Sequence, residues 1–255
     1  MSDYSRTTLA FSIIPKPVEV VVSALADFFE RDGDSPLLYD TSSSPPEKAF
    51  FGPIEDTPEK YQQPEWADAD EPPPEDNPSL VKLAARYRNF AIDSTFDFAG
   101  SGYQGSLFVY DAASQSDHPE TPRCFVRLGF ISYLTYELRG TRNFGEPAEI
   151  DGEIKASLLA TAVGLAHVLG ADGFVYGLEG EGPSPFSADQ LAAYLHDPIG
   201  QPAPVPPFFA GIRSTLVSRD DLLRVFPDEE AVKQASMGFV ILDLLRNPEK
   251  REIVP

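Results

Sequence analysis

The stretch CFVRLGFISYLTYELR, residues 124–139, decides how the rest of this chain is read. Cys124, Val126, Leu128, Phe130, Leu134, Tyr136 and Leu138 share one parity, while Arg123, Arg127, Thr135, Glu137 and Arg139 hold the other. Side chains alternate across an extended chain, so this pattern predicts a strand over 124–138 with one buried face and one partly polar face. Upstream, Phe90–Phe98 and Leu107–Tyr110 carry similar strand signals. Three strands so close in sequence predict an antiparallel meander.

Helices are predicted on either side of this meander. Near the N-terminus, Leu9, Phe11 and Ile13 alternate as a first strand, and Pro17 then suits the first turn of a helix. Val18, Val21, Val22, Leu25, Phe28 and Phe29 fall on one helical face, which Gly33 can close. After the meander, Ile150, Ile154, Leu158, Ala162, Leu165 and Leu169 form a stripe that stops at Gly170. Gly173–Leu178 reads as a strand, Ser187 with Gln190 as a capping box opening a helix through Leu195, and Phe208–Val217 as a proline-led strand. Ser218 caps a short helix containing Leu222 and Leu223, and Met237–Leu245 is an apolar run that suits a strand or a helix. The expected fold is a single α+β domain over residues 1–255, with an antiparallel or mixed sheet and helices mainly on one face.

Residues 45–78 differ in kind. Nine prolines and ten acids meet only Lys48 and Lys60, a local charge of −8. Proline removes backbone donors and like charges repel, so a disordered or irregular acidic arm is expected here, and from Ser79 a short basic helix (Val81, Leu83, Ala84, with Lys82, Arg86 and Arg88) leads into Phe90–Phe98. The arm also carries Phe50, Phe51, Tyr61 and Trp66, anchors that a plain spacer does not need.

Composition narrows the function classes. Forty Asp plus Glu against 20 Lys plus Arg leave a net charge of −20, which repels nucleic acid and anionic membranes and attracts basic surfaces. A bland alternative is that acidity simply keeps the protein dispersed. With 42% apolar residues, 18 Phe and 10 Tyr, there is ample material for a core. Cys124 is the single cysteine, expected as a buried structural thiol, and its isolation fits a reducing cytoplasm. No targeting segment is expected, because the apolar run Leu9–Ile14 is short and Pro15 and Pro17 close it. No run approaches the ~20 apolar residues of a membrane helix.

Motifs for chemistry are weak. Gly100, Gly102 and Gly105 match the spacing of a dinucleotide-binding turn, but that motif must open a helix and here a strand follows. A hairpin turn is the expected structure. His118, His167 and His196 are scattered without metal-ligand spacing, so neither a metal nor a cofactor is expected. The best enzymatic candidate is the carboxylate pair Glu179 and Glu181, in Gly-Leu-Glu-Gly-Glu-Gly after a strand, with Glu137 as a possible third member. Exposed loop carboxylates are the ordinary alternative.

The order of elements from 150 onward carries a resemblance. The helix over 150–169 runs into Gly170-Ala-Asp-Gly-Phe-Val-Tyr-Gly, and a short capped helix follows. Then comes the strand Phe208-Phe-Ala-Gly-Ile-Arg-Ser-Thr-Leu-Val-Ser, with Arg219-Asp-Asp-Leu-Leu behind it. This order resembles the second half of α+β immunity proteins found beside bacterial polymorphic and type VI secretion toxins. The resemblance rests on element order and brings no site residue with it. It implies an immunity protein, or antitoxin, that neutralises a toxin by stoichiometric binding. The partner would be a cognate toxin with a basic surface, held by Glu65, Trp66, Asp68, Asp70 and Glu71 in the arm or by Glu179 and Glu181 in the loop. The sequence offers no signal for oligomeric state.

Overall fold

The N-terminal strand lies in the middle of the sheet, between strands drawn from the two halves of the chain. The computed structural model describes residues 7–30, 51–53, 90–112, 121–130, 134, 151–178, 185–205 and 207–246. In chain order the elements are β1 (Thr7–Phe11), α1 (Val18–Glu30), β2 (Phe51–Pro53), β3 (Phe90–Phe98), β4 (Ser101–Asp111), β5 (Cys124–Phe130) and α2 (Gly152–Leu169). They continue with β6 (Gly173–Leu178), α3 (Ala188–His196), β7 (Pro207–Arg213), α4 (Arg219–Val225), β8 (Val232–Gln234) and β9 (Phe239–Asp243). Among the described residues one nine-stranded sheet has the order β2-β3-β4-β5-β1-β6-β7-β9-β8. Every neighbouring pair is antiparallel, so the fold is α+β and the sheet is not mixed.

Period-two alternation sorts the strands onto two cores. Leu9, Phe11, Leu107, Val109, Val126, Leu128, Phe174, Tyr176, Phe209, Phe239 and Ile241 bury against the two long helices, α1 and α2. Ala10, Phe125, Val175, Ala210, Ile212, Val240 and Leu242 take the other parity, where the shorter α3 and α4 supply Leu191, Tyr194, Leu195 and Leu222. Strands β1 and β9 are therefore buried at every position. A strand covered on both faces loses its polar alternation, which is why the Met237–Leu245 run left helix and strand unresolved.

An aromatic ladder runs through the first core. Phe96 meets Phe130 at 5.3 Å, Phe130 meets Tyr176 at 6.2 Å, Tyr176 stacks on Phe209 at 4.9 Å, and Phe174 meets Phe209 and Phe239 at 6.4 and 5.7 Å. Such pairs add about 1 kcal/mol each beyond the area they bury. The ladder spans β3, β5, β6, β7 and β9 and so joins the two halves of the sheet. Gly211 makes room for it: Phe174 lies directly across from Gly211 in the β6–β7 register, and its ring occupies the space where a side chain would stand.

Local signals held well. Asp151 caps α2 through the Glu153 and Ile154 amides, and Gly170 closes it in a left-handed conformation. Ser187 and Gln190 form the capping box of α3, and Ser218 with Asp221 forms one for α4. Of the glycine motif, Gly100 makes the hairpin turn together with Ala99, at positive φ of 79° and 55° between β3 and β4, whereas Gly102 and Gly105 lie within β4. Cys124 is fully buried. Helix α2 has the length and hydropathy of a bilayer span, yet Ile154, Leu158, Leu165 and Leu169 are buried in the core beside α1.

Several boundaries differ from expectation. Strand β5 stops at Phe130 instead of continuing to 138, and Leu134 is helical. The apolar parity breaks at Ser132. The strand expected over 208–217 ends at Arg213, whose carbonyl accepts the Leu216 and Val217 amides and so turns the chain. Strand β8 had no sequence signal at three residues. Within the 45–78 arm, Phe51–Pro53 pairs with Ile92–Phe90 as an edge strand, where proline is tolerated. The remainder of the arm, the helix expected from Ser79 and the Gly33 cap lie outside the described residues.

One buried charge ties α2 to the end of β9. Asp243 is 2% exposed, and its Oδ2 accepts from Lys155 Nζ at 2.9 Å and Lys233 Nζ at 3.5 Å. Its Oδ1 accepts the Leu245 amide at 3.2 Å. A carboxylate at this depth is tolerable only when paired in this way.

Candidate partner-binding surface

The residues expected to touch a partner, Glu65, Trp66, Asp68, Asp70, Glu71, Glu179 and Glu181, lie outside the described residues, as does Glu137. The strands from which these segments leave are described. A single register row crosses six strands: Gly52, Ala91, Phe108, Arg127, Ala10 and Val175. Pro53, the end of β2, lies one residue to one side of the row; Leu178, the end of β6, lies three residues to the other. Five strand spacings separate β2 from β6, about 24 Å across the sheet, and four residues along the strands add about 13 Å. A standard interface of ~800 Å² per partner is about 30 Å wide, so one partner can reach both departure points.

Between those points the row carries an aromatic–cation strip. The Arg127 guanidinium carbon sits 4.1 Å from the centre of the Phe108 ring and 5.8 Å from that of Tyr110. Arg127 also donates to the Tyr110 hydroxyl at 3.2 Å. The Phe108 and Tyr110 rings are parallel within 6° at 6.2 Å, and Tyr110 continues to Phe125 at 6.1 Å and then to Phe186 at 6.1 Å. Phe108, Tyr110 and Arg127 are half-buried, whereas Phe125 and Phe186 are buried. Tyr110 and Phe125 belong to the second core, so the strip lies on the sheet face opposite α1 and α2. Rigid rings stacked on an arginine are the side-chain types that anchor protein interfaces.

This strip was missed from sequence. Arg127 stood out as polar-parity, and Phe108 and Tyr110 share the solvent-side parity of their strand. What joins them is the β4–β5 register, which pairs Phe108 with Arg127. A run of aromatics at alternating positions on the wrong parity is the one available signal.

A second feature is the negative corner formed by α3, α4 and the segment before β8. Asp220, Asp221, Asp228, Glu229 and Glu230 lie within eleven positions, 220–230, that contain a single base, Arg224. The Ser218 hydroxyl and backbone N–H, both bonded to the Asp221 carboxylate, hold that group below its ordinary pKa, and Arg224 and His196 add to the effect. Ser218, Asp221 and His196 thus gather in one place, but as a helix cap. The serine hydroxyl donates to the carboxylate and accepts the Asp221 amide at 3.1 Å, so no histidine stands ready to take its proton. Among the described residues no three His, Cys, Asp or Glu side chains group as metal ligands.

No family model and no curated protein matches this chain. A weak structural likeness exists to the Pseudomonas aeruginosa T6SS protein PA0821, at 11% identity and a TM-score of 0.37. The alignment covers 94% of this chain and 64% of that one, so the chain spans less than two-thirds of the neighbour's length. At that TM-score the likeness settles neither topology nor activity.

Proposed function

We propose that this protein is a bacterial immunity protein, an antitoxin of the cytoplasm that neutralises a cognate toxin, in a type VI secretion setting, by stoichiometric binding. The observation that carries this is the charge imbalance, −20 from 40 acids against 20 bases. Such a field speeds the capture of a basic partner and rejects nucleic acid. The Phe108–Tyr110–Arg127 strip supports the reading, because acids supply rate and specificity whereas desolvated aromatic and arginine anchors supply affinity. On this proposal the toxin covers the strip. Its contacts are Glu65, Trp66, Asp68, Asp70 and Glu71 in the arm after Pro53, or Glu179 and Glu181 in the loop after Leu178. Inhibition then follows from occlusion of the toxin's basic active-site surface.

The test is co-expression with the product of the neighbouring gene, followed by pull-down and rescue of toxicity. A complex that forms at low salt, weakens with ionic strength and restores growth supports the proposal. Absence of both binding and rescue, together with turnover of a small molecule that is lost in Glu179→Gln, would assign the protein instead to an enzyme using the Glu179/Glu181 pair.

A further inference from the structure

We draw no further inference here: the strongest candidate, the corner at the end of β7 where the turn carrying Leu216 (40% exposed) meets the β8–β9 turn carrying a left-handed Met237 (50% exposed, φ 57°), is an apolar patch for which nothing in the structure shows what covers it.

Discussion

Replacing Gly211 by alanine tests the packing that joins the two halves of the sheet. A Cβ at this position would stand 2.2 Å from Phe174 Cζ, 2.4 Å from Cε1 and 2.9 Å from Ile241 Cδ1. Carbon atoms pack best at about 3.5 Å or more, so the ring tip must retreat by about 1.3 Å. It has little room to do so. Phe174 is fully buried, with Phe11 at 6.4 Å, Phe209 at 6.4 Å and Phe239 at 5.7 Å. Overpacking of this kind costs up to about 3 kcal/mol. Alanine offsets about 0.7 kcal/mol of that by narrowing the unfolded ensemble, since Gly211 holds no positive φ. The net loss is about 2 kcal/mol. In urea, with a slope of about 2 kcal/mol/M, the unfolding midpoint falls by about 1 M. Phe174→Leu in the same background removes the clash, so the double variant loses less than the sum of the singles by about 1 kcal/mol. A Gly211→Ala protein with the parental midpoint, or strictly additive effects in the double variant, would refute the reasoning.

Asp243→Ala removes the buried partner of the largely covered Lys155 ammonium and costs about 3 kcal/mol in urea unfolding, whereas Lys233→Met, at the longer and half-exposed contact, costs about 0.5 kcal/mol or less; comparable losses for the two would contradict this account. The Asp221 carboxyl is held down by Ser218, so its stabilisation is present above the ordinary aspartate value of 3.8 and is lost as pH falls through the lower folded value. The stability gap between the parent and Ser218→Ala therefore narrows in thermal melts taken at progressively lower pH, and a gap that widens on acidification would overturn the assignment. For the proposed complex, Trp66→Ala costs about 2 kcal/mol of affinity by calorimetry if it is a desolvated anchor, and Arg127→Ala costs a similar amount because it also unstacks Phe108 and Tyr110. Changing Asp68 or Asp70 instead lowers the association rate and its salt dependence, with little change in dissociation.

What the sequence alone determined is what acts over one helical turn or a few neighbouring residues. The stripe of α2 that stops at Gly170, the capping box at Ser187, the cap at Ser218, the hairpin turn at Gly100 and the burial of Cys124 were all legible, because caps, turns and periodicity are satisfied locally. The acidic imbalance needed no structure at all. Tertiary structure decided what depends on distant partners. Nothing near Thr7–Phe11 says that β5 and β6 flank it, since their hydrogen-bonding edges are over a hundred residues away. The place of Gly211 beneath Phe174, and of Arg127 over Phe108, likewise exists only once strand registers are set. A side chain's parity is written in its own strand, but the residue it faces is chosen by the pairing of two strands.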